Sequence, residues 1–234
     1  MKHTQTNKLW GAAFDHEPSE ALIQFTAGRD VATTPMADAA LFSYDLWVNK
    51  AHAVMLAKTG IIPAVDAAGI LSGLAELEKD PSFVLDPSKE DVHTNVESWL
   101  TEKLGIEVAG KLHTARSRND QVVTDMHLYL RDQILSYVKN SIVLADTLLV
   151  LADTYKSLPM PGFTHHQHAM ITTFGHSLAG FAEMIIRDTA RFEIWYVLHN
   201  KNSLGNMASY GITFPVDRNM TAKFLVFEIT SAGP

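Results

Sequence analysis

The stretch NDQVVTDMHLYLRDQILSYVKNSIVLADTLLVLADTYKSL, residues 119–158, runs for forty residues without a proline or a glycine. As a helix at 1.5 Å per residue it is a rod of about 60 Å, much longer than the helices of ordinary globular domains. In its middle, Ile142, Val143, Leu144, Leu148, Leu149, Val150 and Leu151 cover nearly every side. Such a helix has to be enclosed by others and not merely laid on a surface. Pro159 and Pro161 break the rod. A second helical pattern then runs from near Ile171 to about His199, carrying Phe174, Leu178, Phe181, Met184, Ile185, Phe192 and Trp195. Two long antiparallel helices predict a bundle completed by partner subunits or by further sequence.

Upstream of the rod the spacing is also helical. Met36 to Lys58 places Leu41, Phe42, Leu46, Trp47, Ala51, Val54 and Met55 on one face, with Gly60 as the stop. Pro63 opens a second helix that runs to about Lys79 and ends at Asp80-Pro81, and a third is expected from about Asp91 to Leu104. Period-two alternation is confined to brief stretches such as Ser82 to Leu85. The fold class is therefore all-α: a helical N-terminal domain over residues 1–115, then the first long helices of a central bundle over 116–234.

The chain has 234 residues, 47% hydrophobic and 19% charged, which is globular composition. Nineteen Lys and Arg against twenty-six Asp and Glu leave a net charge of −7, so there is no overall basic field for nucleic acid. The absence of cysteine excludes disulfides, thiolate nucleophiles, Cys-ligated zinc and iron–sulfur clusters. Met1 to Trp10 lacks the apolar run of a secretory signal, and Ile142 to Ala152 is interrupted by Asp146 and too short to span a bilayer. The expectation is a cytoplasmic protein without a membrane partner.

Three polar segments stand out. His113 to Gln121, HTARSRNDQ, immediately precedes the rod, so Ser117, Asn119 or Asp120 can cap it while free N–H groups point outward. Arg116 and Arg118 place two guanidinium forks beside that positive helix end, a combination suited to a carboxylate. The plainer reading is a capped helix with surface arginines. Met160 to His168, MPGFTHHQH, lies on the hinge between the rods. A neutral imidazole there can act as general acid or base, oriented by a hydroxyl such as that of Thr164, or the histidines are simply solvated. Adjacent His165 and His166 do not readily point at one ion, which weighs against a metal site. Glu90 to Glu97 is a helix start with a His93/Glu97 pair at i and i+4, a spacing that favours capping and a surface pair. Asn202 to Gly211, followed by Phe214-Pro-Val-Asp-Arg218, is a polar turn after the second rod.

Taken in order, Leu9-Trp-Gly-Ala-Ala-Phe14, Lys50 to Ala57, Glu90-Asp-Val-His93, HTARSRNDQ, Met160-Pro-Gly-Phe-Thr-His165 and Phe214 to Arg218 resemble the argininosuccinate lyase family of the fumarase and aspartase superfamily. The resemblance runs from about Leu9 to about Glu228. It implies a helical N-terminal domain and a bundle of long helices that assembles into a homotetramer core. It also implies the reversible elimination of argininosuccinate to arginine and fumarate in arginine biosynthesis, without metal or organic cofactor. By the same resemblance Ser117, Arg118 and Asn119 would bind substrate carboxylates, Thr164 would contact substrate, and His165 would be the acid/base group. His93 and Arg218 would be supporting groups. Ser203, Asn206 and His168 depart from the family's usual residues.

The family's segment Gly-Ser-Ser-x-Met-Pro-x-Lys-x-Asn, which supplies the serine base and a substrate-binding lysine, is expected beyond residue 234, as is a third rod. The expectation is thus the N-terminal half of such an enzyme, inactive alone. Two other readings stay open: a non-catalytic structural or assembly protein on a lyase-like scaffold, and another lyase of the superfamily.

Overall fold

A computed structural model describes residues 19–26 and 36–230. The opening motif Leu9–Phe14 and the last four residues lie outside them. The helices are α1 (Glu20–Thr26), α2 (Phe42–Lys58), α3 (Ala64–Leu77), α4 (Val92–Leu104), α5 (Ile106–Ala109), α6 (Arg118–Thr154), α7 (Phe174–His199) and α8 (Arg218–Phe224). Four short strands accompany them: β1 (Pro159–Thr164), β2 (Gln167–Thr173), β3 (Lys201–Asn202) and β4 (Ile229–Thr230). The predicted all-α class holds, and α3 and α4 begin and end within a few residues of the punctuation that defined them; α2 ends at Lys58 as expected but starts only at Phe42, the expected opening from Met36 being a 3-10 turn over Ala37–Leu41. Pro63 caps α3, and Asp91 caps α4 by accepting the Thr94 N–H at 2.5 Å.

The chain divides into two compact units, one of residues 1–129 with 201–234, the other of residues 130–200. In the first unit, Leu46, Leu56, Ile70, Leu74, Val96, Leu100 and Leu112 form a core among α2, α3, α4 and the segment after them. A second cluster packs Val48 and Ala51 against Leu128, Leu204, Leu225 and Phe227. The single buried face predicted for α2 is thus too few, since this helix is covered on three sides. Its third stripe is polar: Asp45, Asn49 and His52, at i, i+4 and i+7, are all buried. A helix can bury such groups only where partners meet them.

The second unit holds residues 130–154 of α6, the β1–β2 hairpin and α7. Tyr137 packs on Phe192 with ring centroids 4.5 Å apart, and Tyr155 on Phe174 at 5.6 Å. Ile142, Val143, Leu144, Leu149 and Val150 remain exposed, as do Phe181, Met184, Ile186 and Ile194. By length and composition alone α6 is long and apolar enough to cross a bilayer, a test that a core helix of a bundle passes as well.

The hinge is a β-hairpin. β1 and β2 pair antiparallel, with Thr164 opposite Gln167 and a register shift between Pro161 and Phe163. The two-residue turn is His165-His166, both at positive φ, 50° and 63°, the sign pattern of a type I′ turn whose twist suits a tight hairpin. Helix α7 accordingly starts at Phe174 and not at Ile171. Ser82 to Leu85 forms no strand.

Candidate functional site

The start of α6 is where the polar side chains of the first unit converge. Ser117 Oγ accepts the Asn119 N–H at 3.3 Å while the Ser117 N–H donates to Asp120 Oδ1 at 3.0 Å. This reciprocal capping box satisfies two of the helix's free donors and fixes the direction in which the chain enters it. Asn119 points to solvent.

Behind that cap lies a closed ring of side chains from three helices and the segment leading into α6. Asp45 Oδ1 accepts from Gln121 Nε2 at 2.6 Å, and Gln121 Oε1 accepts from Arg118 Nη1 at 2.7 Å. Arg118 grips Glu97 through its two terminal nitrogens, Nη1 and Nη2, each at 3.2 Å. Glu97 Oε1 lies 3.6 Å from Arg116 Nη2, Arg116 Nη1 donates to Asn49 Oδ1 at 2.6 Å, and Asn49 Nδ2 returns to Asp45 Oδ2 at 2.8 Å. His113 Nδ1 adds a bond to Glu97 at 2.9 Å. Burial alone would raise the Glu97 carboxyl, but the His113 bond and the charges of Arg118 and Arg116 outweigh it and hold it at about 2.

The arginines are therefore not surface groups. Arg116 is buried, and Arg118 is held by Glu97 with Asp91 3.4 Å from its Nε. Nor do His93 and Glu97 pair with each other. His93 turns inward to Asp45 Oδ1 at 2.8 Å and Asp125 Oδ2 at 3.5 Å. The expected surface pair gives way because His93 is taken by Asp45 of α2, while Glu97 is taken by Arg118 and His113. Burial raises Asp45 as well, yet His93, Arg116 and Gln121 together bring it below its ordinary value. Asp125 goes the other way: burial first, then the neighbouring charge of Asp45, push it well above the carboxylate range.

Ligand atoms of Asp45, His93 and Asp125 all lie within 4.8 Å of one another, so among the described residues these three could offer a cation a site. The guanidinium of Arg116 acts on both of the same carboxylates and already supplies positive charge there. This arrangement suits a proton better than a metal ion.

Of the residues singled out from sequence, His93, Ser117, Arg118, Asn119 and Arg218 belong to the first unit, and Thr164 and His165 to the exposed hairpin turn of the second. Arg218 works on the loop after α7: its Nε donates to the Leu204 carbonyl at 3.0 Å and its side chain packs on Gly205. A Cβ at Gly205 would sit 2.8 Å from Arg218 Cγ, and the backbone there is at φ +91°, so only glycine fits. Sequence reasoning passed over Asp45, Asn49, Gln121 and Asp125. Their only local signal was polarity at helical spacing inside otherwise apolar helices.

Comparison with known proteins gives this geometry a context. A family model described as Lyase matches residues 13–232. The argininosuccinate lyase of Streptococcus agalactiae serotype V is 43% identical over 228 residues, covering 96% of this chain and 48% of that enzyme. That of Streptococcus mutans serotype c is 44% identical with the same coverage. Among solved structures, a variant of EDDS lyase with bound fumarate superposes with a TM-score of 0.74 at 28% identity, over 93% of this chain and 43% of that one. The chain spans about half the length of the curated relatives it matches. With the family model matching from residue 13 to residue 232, the chain belongs to the lyase family.

Proposed function

We propose that this chain is the carboxylate-binding and acid/base portion of an argininosuccinate lyase, which eliminates arginine from argininosuccinate to leave fumarate. The observation that carries the reading is the start of α6. There a capped helix N-terminus presents Ser117 and Asn119, and Glu97 holds the Arg118 guanidinium in a fixed place beside them. An anion at such a site meets the aligned N–H dipoles of the helix start, which favours a carboxylate and, more so, one on which charge develops during elimination, while the Arg118 fork is itself engaged by Glu97 and Gln121. In this reading the proton next to that carboxylate leaves, charge spreads onto the carboxylate, and the guanidino nitrogen departs. His165, flanked by Thr164 at the tip of the hairpin, moves the proton for one of these steps.

The segment Gly-Ser-Ser-x-Met-Pro-x-Lys-x-Asn that carries the family's serine base does not occur within these 234 residues. They are accordingly expected to bind argininosuccinate without turning it over. The apolar faces of α6 and α7 are proposed to meet partner helices in a homotetramer, in the cytoplasm, rather than lipid.

The test has two arms on the 234-residue chain, its intact mass verified. Calorimetric titration with argininosuccinate is expected to give saturable binding that Asn119→Ala abolishes, while fumarate absorbance stays flat. Absence of binding would favour a purely structural lyase-like protein. Sustained fumarate release would show that a base within these residues has been overlooked.

A further inference from the structure

Asp120 does more than close the capping box. Its second carboxylate oxygen, Oδ2, accepts the N–H of Gly205 at 3.0 Å and of Met207 at 2.8 Å. One carboxylate, 3% exposed, thus gathers three backbone donors from two segments some 85 residues apart. A buried carboxylate needs such a set, since an ionised group away from water is tolerated only when its lone pairs are filled. The loop it holds is not one that would take this shape by itself. Gly205, Met207, Ser209 and Gly211 all lie at positive φ, two of them with side chains. A residue with a side chain, as at Met207 and Ser209, holds such a backbone only when its surroundings impose it.

The loop is held from both flanks. On one, Arg218 bonds the Leu204 carbonyl and packs on Gly205. On the other, Asn202 Nδ2 donates to the Arg218 carbonyl and Thr221 Oγ1, and its Oδ1 receives the Leu204 N–H. Between the two amides fastened to Asp120 lies Asn206, whose carbonyl accepts from both Ser209 and Gly211. Asp120 is also the neighbour in sequence of Asn119 and the capping partner of Ser117. The loop is therefore fixed against the same turn of α6 on which the proposed carboxylate site is built.

We propose that Asp120 is a positioning residue that fastens the loop of residues 203–211 to the start of α6 as a second wall of the substrate site. The inference rests on the carboxylate-site reading given above. In it, Asp120 touches no substrate. It sets where the uncharged donors and acceptors of the loop stand relative to a ligand seated on Ser117 and Asn119.

The test compares the wild-type chain with Asp120→Asn, whose amide keeps one acceptor oxygen but turns N–H groups toward the loop amides, and with Asn119→Ala. Two readouts are taken on each: hydrogen exchange of the peptide covering residues 203–211, and the affinity for argininosuccinate by calorimetry. The expected result is that Asp120→Asn speeds exchange of the loop by tenfold or more and weakens argininosuccinate at least fivefold, with exchange of α3 and α4 unchanged. Asn119→Ala abolishes binding and leaves loop exchange alone. Faster loop exchange with unaltered affinity, or no change in either, overturns the positioning role while the carboxylate site stands. If Asp120→Asn fails to fold, Arg218→Lys removes the Nε donor from the opposite flank; it too must loosen the loop and weaken binding, and otherwise the proposal fails. A wild-type chain that takes up no argininosuccinate overturns the carboxylate-site reading and the inference with it, an outcome distinct from the preceding ones.

Discussion

Replacing Glu97 by Gln keeps the side chain's shape and removes the charge on which three cationic or polar donors converge. In the folded chain Glu97 sits at about 2, against 4.5 for the free group. A carboxyl lowered on folding adds stability that is fully present above its unfolded value and is lost as the pH falls toward its folded one. At about 1.4 kcal/mol per pH unit the gap amounts to about 3 kcal/mol at pH 7, shrinking to about 1 kcal/mol at pH 3. The carboxylate is 19% exposed, so solvent screening takes away little of this. Urea unfolding followed by far-ultraviolet circular dichroism, for both chains at pH 7 and pH 3, measures the difference directly. The expected outcome is a variant weaker by about 3 kcal/mol at pH 7 that largely catches up with the wild type in acid. A difference below about 1 kcal/mol at pH 7, or one that does not shrink at pH 3, refutes the account of Glu97 as an ionised carboxylate held by His113, Arg116 and Arg118.

Two further outcomes test the second unit. Gly175→Ala would drive a Cβ into the Ala152 carbonyl oxygen and to 2.7 Å from the Lys156 backbone, where nothing can rotate away. It should cost about 3 kcal/mol and lower the melting temperature, and a variant within about 1 kcal/mol of wild type would show that α6 and α7 do not approach as described. The apolar residues left open on these helices should make the chain associate, with light scattering giving a multiple of the chain mass. Leu149→Glu, at a position 45% exposed, should reduce that mass, and a stable wild-type monomer would remove the need for partner helices.

Helix ends were legible in the sequence wherever one residue imposes a local rule: Pro63 before α3, Asp91 before α4 and Ser117 before α6. The hairpin was not, because both its strands are largely solvent-exposed and so carry no alternation of apolar and polar residues to read. Its turn uses two histidines at positive φ where glycine or asparagine would have signalled it. The ring at the candidate site failed to appear for another reason. Asn49 meets Arg116 across 67 residues and Asp45 meets Gln121 across 76, distances over which spacing carries no information. His93 and Glu97 show how a short-range rule misleads. They have the right separation for a helical pair, yet each side chain leaves the helix surface toward a different neighbour. The anion-binding character of HTARSRNDQ did come from the sequence alone. What it concealed is that the arginines are partnered from within.

The ring also bears on the order in which this chain takes shape as it leaves the ribosome. Asp45 and Asn49 lie on α2 and are synthesised long before Arg116, Arg118 and Gln121. Until those three emerge, the helices α2, α3 and α4 can assemble their apolar core only with a charged stripe lacking most of its partners, and such a stripe resists leaving water. Closing the ring then requires joining chain segments about 70 residues apart, an entropic cost met all at once and not in instalments. The first unit is accordingly a late and cooperative event in synthesis, and a nascent chain halted before Arg116 should remain open to proteases along α2.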